Sequence, residues 1–219
     1  MWLDGLPATV ARALRLYDLV PGRRIEASYS YVEFVRDRSG AHLVLKVAPP
    51  GPSFVREVAA LRAWDGCGTP AIRAVDPSAG ILVSERVMPG TPLADRSEEN
   101  AAAIIAAVAR RLARCTPSAA ASDTFTPLTA LRAGFERARA TLAPDDLRLP
   151  ASLLDEADST FGSLLRSSAP AVLLHGDLHH WNVLDGGDRS WMVIDPKGYL
   201  GEPAFEFGAF LRNPVGAIA

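Results

Sequence analysis

An α+β fold in two lobes, a small antiparallel sheet followed by a mainly helical region, is what this sequence predicts, on three observations. Strand-type alternation dominates the early part of the chain: "YSYVEFVR" and "AHLVLKV" flank the turn "DRSG", and "GILVSERV" follows at 80–87. From Ser97 onward the texture turns to long alanine- and leucine-rich stretches with helical spacing. Two short apolar runs, "AVLL" and "WMVID", return late and bracket the polar segment "HGDLHHWN". The expected division is 1–88 for the β-rich lobe and 89–219 for the helical one, with a linker near 86–95.

Each element has a local reason. Residues 5–19 suit a helix, with Val10, Leu14 and Tyr17 on one face. "PPGPS" at 49–53 cannot lie inside a helix or strand, so it connects. Ser53 is placed to cap "FVREVAALRAW", whose Phe54, Val58 and Leu61 repeat at helical spacing. Ser97 likewise caps "EENAAAIIAAVARRLARC". Its first turn holds Glu98 and Glu99 and its end holds Arg110, Arg111 and Arg114, as the helix dipole favours. Ile104, Ile105, Val108, Leu112 and Cys115 form the inward stripe. After a Ser/Ala/Thr-rich loop at 117–127, further helices are expected near 128–142 and 151–166.

Composition narrows the function classes. A chain of 219 residues, 48% apolar, can bury a sizeable core. A formal charge of −2 without basic runs argues against nucleic-acid and membrane-surface partners. No apolar run approaches the roughly 18 residues that span a bilayer. The opening "MWLDGLPATVARALRLYDL" lacks the basic start of a signal peptide, so a cytoplasmic location is expected; a monomer is expected as well. Cys67 and Cys115, far apart in unrelated contexts, indicate neither a disulfide framework nor a zinc knuckle. Of 23 basic residues only Lys46 and Lys197 are lysines. A lysine kept against that bias suits a position needing a compact ammonium rather than Arg's planar fork.

Lys46 sits in the strand "LVLKV" among core-type residues, where an ammonium needs a negative partner. Glu57 shares the inward side of its helix with Phe54 and Leu61 and is the candidate. In "HGDLHHWN", Asn182 follows Asp177 by five residues, and "WMVIDPKG" ends a strand on Asp195. Asn182 and Asp195 are two hard oxygen ligands of the kind that suit Mg²⁺. That leaves Asp177 as the base or hydroxyl-orienting group for in-line attack on a phosphoryl group. A zinc site built from His175, Asp177, His179 and His180 would leave Lys46, Glu57 and Asp195 unexplained.

With "LLHGDLHHWNVL", "VIDPKGYLGEPAFEFGAFLRNP" and "REVAALRAWDG", nearly the whole chain resembles the kinase-like phosphotransferases, and among them the aminoglycoside and hydroxyurea antibiotic-resistance kinases. The resemblance implies a protein-kinase-like fold and transfer of the ATP γ-phosphate, with Mg²⁺, to a hydroxyl of an aminocyclitol antibiotic of the streptomycin type. It implies Asp177 as catalytic aspartate, Asn182 and Asp195 as metal ligands, Lys46 as phosphate-binding lysine and Glu57 as its helix partner. "SERV", with Glu85 and Val87, matches the hinge that binds adenine through backbone groups, and His179 falls where a γ-phosphate contact is expected. His175 matches a loop brace, and His180 is expected to face solvent or the substrate rim. Lys197 either reaches phosphate or substrate or fills a turn; the sequence leaves both open.

Two departures accompany this likeness. "EASYSYV" replaces a glycine-rich loop, leaving Ser28 and Ser30 to offer hydroxyls and N–H groups to phosphate. The chain also stops at Ala219, where the family continues through further helices, so a shortened chain is expected. Glu202, Glu206 and Asp185 are then the acids left to meet a cationic substrate. The alternatives are a kinase-like enzyme for another small hydroxylated metabolite and an inert nucleotide-binding fragment.

Overall fold

The computed structural model describes residues 2–27, 29–115, 123–142 and 149–213. Helix α1 (Trp2–Leu16) leads into strands β1 (Val20–Ile25), β2 (Tyr31–Arg36) and β3 (His42–Val47), then α2 (Pro52–Ala63), β4 (Ile72–Asp76) and β5 (Ile81–Glu85). The five strands form one antiparallel sheet in the order β1-β2-β3-β5-β4. Helix α3 (Glu98–Arg114), strand β6 (Thr126–Pro127), and helices α4 (Ala133–Thr141) and α5 (Ala151–Arg166) follow. Strands β7 (Val172–Leu174), β8 (Val183–Asp185), β9 (Trp191–Val193) and β10 (Tyr199–Gly201) and helix α6 (Glu206–Arg212) complete the second lobe. The α+β, two-lobed architecture expected from the sequence is therefore present. Among the described residues no helix is long and apolar enough to cross a membrane.

Period-2 alternation gives the sheet two distinct faces. Leu43, Leu45, Val47, Ile81 and Val83 are buried on the side covered by α1. Val44, Lys46 and Leu82 point to the other side, with Lys46 set between Val32 on β2 and Leu82 on β5. A one-residue slip would turn Lys46 into the α1 side, so the apolar pattern itself holds the lysine in place.

Helix α2 serves two cores. Phe54, Val58 and Leu61 pack on Leu82 and Ala48 of the sheet. Ala60 and Trp64 belong instead to the second-lobe core, with Leu93, Ile105, Leu112, Leu173 and Val193. Ile105, Val108 and Leu112 of the expected α3 stripe are buried, and Ser97 occupies the N-cap position without a side-chain capping hydrogen bond.

Several expectations need correction. Gly51, not Ser53, precedes α2, because Pro52 fits the first helical turn, where no N–H is required. Strand β1, "VPGRRI", was masked by Pro21 and Gly22; it is an edge strand whose register breaks between Pro21 and Arg24, where a proline is tolerated. Cys67 and Cys115 form a disulfide with Cα atoms 6.5 Å apart across 48 residues of sequence. Sequence spacing hid it, because the pairing arises only when the end of α2 packs on α3.

Candidate active site

Two loops and one strand lysine define the site. The first loop, 175–182, joins β7 to β8; the second, 194–198, joins β9 to β10. They are stitched together by Lys197 N–H donating to the His175 carbonyl (2.7 Å) and Ile194 N–H donating to the Asn182 carbonyl (3.1 Å). His175, fully buried, adds a third link: Nε2–H donates to the Ile194 carbonyl (2.8 Å), while Nδ1 accepts from Asp177 N–H (3.3 Å). Acceptance at Nδ1 requires the neutral ring, and burial, chiefly, pushes its pKa down to about 4. The Trp64 indole lies parallel to this imidazole, with centroids 6.4 Å apart, so α2 braces the loop from behind.

Lys46 Nζ lies 2.7 Å from Glu57 Oε1 and 2.7 Å from Asp195 Oδ1. Burial disfavours the ammonium, but Asp195 and Glu57 outweigh it and raise the lysine's pKa. For Asp195 burial works upward, yet Lys46 dominates and holds the carboxyl below its ordinary value. Burial raises Glu57, the more enclosed of the two acids. Asp195 adopts φ 59°, a left-handed conformation that Asp tolerates better than most residues.

Asp177 stands between two cations or potential cations. Lys197 Nζ is 3.4 Å from its Oδ2, and His179 Nε2 is 3.8 Å from its Oδ1. Burial lowers the His179 pKa, and its Nδ1 accepts from Trp181 N–H at 3.3 Å. Asn182 donates its amide to the Asp177 carbonyl at 2.9 Å, which fixes the residue and spends its nitrogen, not its oxygen. A hard cation would find the Asn182 amide oxygen and the Asp195 carboxylate chemically suited to it. Among the described residues no cluster of three or more His, Cys, Asp or Glu side chains could hold a metal.

A cleft of about 650 Å³ opens between the lobes, with Lys46, Glu57 and Asp195 among its lining residues. Val32, Val44 and Leu82 wall it on the sheet side, and Leu184 and Ile194 on the other. Glu85 and Val87 both line it. Glu85 spends its carboxylate on Arg73 and Arg189 and its N–H on the Ala71 carbonyl. Arg86 N–H is likewise taken by the His42 carbonyl, whereas Val87 N–H has no acceptor among the described residues. Ser28 lies outside the described residues. Ser30, half-buried before β2, is not in the cleft wall, which is made there by Ile25, Glu26 and Ala27.

The acids held in reserve for a cationic substrate are otherwise occupied. Glu206, 3% exposed, accepts from the backbone N–H groups of His175 and of Gly176, the latter at 2.9 Å. Glu202 accepts from Ala169 and Ala204 N–H, and Asp185 pairs with Arg96. Glu206 thus pins the start of the Asp177 loop, a role missed in the sequence. The available signal was the one that exposed Glu57, an acid among residues that otherwise want burial. His180 also differs from expectation: it is buried against Phe210, with ring centroids 4.6 Å apart.

Known proteins resemble this chain in sequence and in fold. A hydroxyurea phosphotransferase from Kitasatospora aureofaciens is 34% identical over 97% of this chain and 62% of its own length. A streptomycin 6-kinase from Streptomyces glaucescens is 29% identical over 94% of this chain and 66% of its own. The chain thus spans less than two thirds of these curated relatives. The aminoglycoside phosphotransferase APH(3'')-Id from Streptomyces rimosus, solved with ADP and streptomycin, shares the fold with a TM-score of 0.61 at 20% identity, covering 95% of this chain and 82% of that one. Residues 19–219, which include both loops, Lys46 and Glu57, match one family along their whole length, and the chain belongs to it: the aminoglycoside/hydroxyurea antibiotic resistance kinases.

Proposed function

We propose that this chain transfers the γ-phosphoryl group of ATP to a hydroxyl of a small antibiotic-like acceptor, of the kind that its relatives' names, streptomycin kinase and hydroxyurea phosphotransferase, describe. The observation that carries this reading is the Lys46–Glu57–Asp195 triad in the wall of an apolar cleft, with Asp177 on the loop hydrogen-bonded to the one that carries Asp195. The cleft suits a purine held between Val44 and Leu184, with Val87 N–H as its backbone donor. Lys46, oriented by Glu57, neutralises phosphate oxygens. Asn182 and Asp195 would hold Mg²⁺, which would neutralise phosphate charge there.

Asp177 accepts the proton of the attacking hydroxyl. The incoming oxygen forms its bond to phosphorus as the bond to the bridging oxygen breaks, and ADP leaves with that electron pair. His179 Nε2 lies 3.8 Å from Asp177 Oδ1 and helps to orient that carboxylate.

The test is acceptor-dependent release of ADP from Mg·ATP with streptomycin and with hydroxyurea, alongside titration calorimetry with the nucleotide. Release with either acceptor is the expected result. A chain that binds no adenine nucleotide overturns the reading, and nucleotide binding without transfer to either acceptor favours an inert nucleotide-binding fragment or, if another small hydroxylated substrate is turned over, an enzyme for that substrate.

A further inference from the structure

One charged side chain at the site has no task in the scheme above. Lys197 is one of two lysines among 23 basic residues, and the other, Lys46, is already committed to Glu57 and Asp195. Its position is tightly determined. Pro196 precedes it, its N–H is bound to the His175 carbonyl, and Gly198 follows at φ 66°, against the Arg56 carbonyl. Opposite it, Gly176 leaves room for Tyr199 and the Lys197 stem: a Cβ at Gly176 would meet Tyr199 Cδ2 at 2.3 Å and Lys197 Cβ at 3.4 Å. The two loops are thus fitted to one another at this lysine.

From that base the ammonium reaches Asp177 Oδ2 at 3.4 Å, with its side chain half exposed. Asp177 is its one ion-pair partner among the described residues, so two of its three N–H donors remain unspent. His179, the other candidate near Asp177, has both ring nitrogens within 3.3 Å of Trp181 N–H and the Asn182 amide. A phosphoryl group in flight spreads negative charge over three equatorial oxygens, and a positioned cation there lowers the barrier directly. The acceptor's attack takes place beside Asp177, which is where Lys197 stands.

Resting on the phosphotransfer reading, we infer that Lys197 is a catalytic residue whose ammonium binds the oxygens of the γ-phosphoryl group during transfer. Lys197 keeps its proton throughout. The acceptor oxygen bonds to phosphorus, the bond from phosphorus to the β-phosphate oxygen breaks toward ADP, and the hydroxyl proton passes to Asp177. The cation that meets the transferred group therefore comes from the loop after Asp195, not from the loop that carries the base.

The experiment compares the full chain with Lys197→Met and Lys197→Arg by calorimetric titration with ADP and with the non-hydrolysable analogue AMP-PNP. Turnover of Mg·ATP, with streptomycin and hydroxyurea as acceptors, is measured in parallel. Lys197→Met is expected to bind ADP as the unaltered chain does, to bind AMP-PNP about tenfold more weakly, and to lose about 10²–10³-fold in kcat. Lys197→Arg is expected to recover part of the AMP-PNP preference and less of the kcat, since the charge is kept and the compact ammonium is not. Unchanged AMP-PNP affinity in Lys197→Met, or equal losses for ADP and AMP-PNP, would overturn the assignment; equal losses would make Lys197 a prop for the loops. An unaltered chain that binds neither nucleotide fails the phosphotransfer reading itself, a result distinct from any difference between variants.

Discussion

Lys46 Nζ and Glu57 Oε1 lie 2.7 Å apart with nine-tenths of each side chain withdrawn from water. A pair so enclosed is costly to break, because the survivor is left as an uncompensated buried charge. Lys46→Met should therefore cost about 3–5 kcal/mol of stability, read from urea unfolding, in addition to weakening nucleotide binding. A loss below about 1 kcal/mol would mean that water reaches the pair freely.

Asp177→Asn keeps the shape of the side chain and removes its basicity. Turnover should fall by about 10²–10⁴-fold while AMP-PNP affinity stays close to that of the unaltered chain. A variant retaining full turnover would show that another group takes the proton.

Glu206 holds the start of the loop that carries Asp177, and on the proposed reading it positions the base without touching the reacting atoms. Glu206→Ala leaves the buried N–H groups of His175 and Gly176 without their acceptor, at a cost of at least about 2 kcal/mol. It should lower kcat far more than it raises KM for ATP, since the loop carrying Asp177 moves and the adenine end of the cleft does not. Equal effects on both constants would contradict this positioning role.

His175 makes the fold sensitive to acid. Burial holds its pKa at about 4, below the ordinary 6.5, so the neutral ring stabilises fully above about pH 6.5. That contribution is lost as pH falls towards 4, and amounts to roughly 3 kcal/mol. Unfolding free energies at pH 7 and pH 4 should show a drop that is smaller in His175→Gln by about this amount. An identical pH profile in the two proteins would place the acid sensitivity elsewhere.

The Cys67–Cys115 bridge closes a long loop, and in chain-entropy terms a separation of 48 residues corresponds to roughly 4 kcal/mol. Cys67→Ser, or a reductant, should lower the melting temperature, and the reductant should have no further effect on the variant. A variant that melts like the oxidised protein would count against the bridge.

Much of this was legible in the sequence, for identifiable reasons. Lys46 and Glu57 stood out because a charge in an apolar pattern demands a partner, and the partner's helix was itself patterned. That Asp177, Asn182 and Asp195 lie on short loops beside strand ends was legible from their order and spacing. What stayed hidden depends on tertiary contact. Strand β1 carries Pro21 and Gly22, which local propensity disfavours, and pairing with β2 overrides that. Glu202 and Asp185 looked available until backbone amides and Arg96 were found against them. His180 looked like a rim residue because nothing local announces Phe210.

Helix α2 gives these parts a common consequence. Phe54, Val58 and Leu61 anchor it to the sheet, Ala60 and Trp64 anchor it to the second lobe, and Cys67 just beyond it is covalently joined to the end of α3. A helix held from both sides has no vacant position to swing into without opening one core or the other. The Lys46–Glu57 contact it carries is therefore a fixture and not a switch. What can vary in such a molecule is the occupancy of the cleft, not the position of the helix.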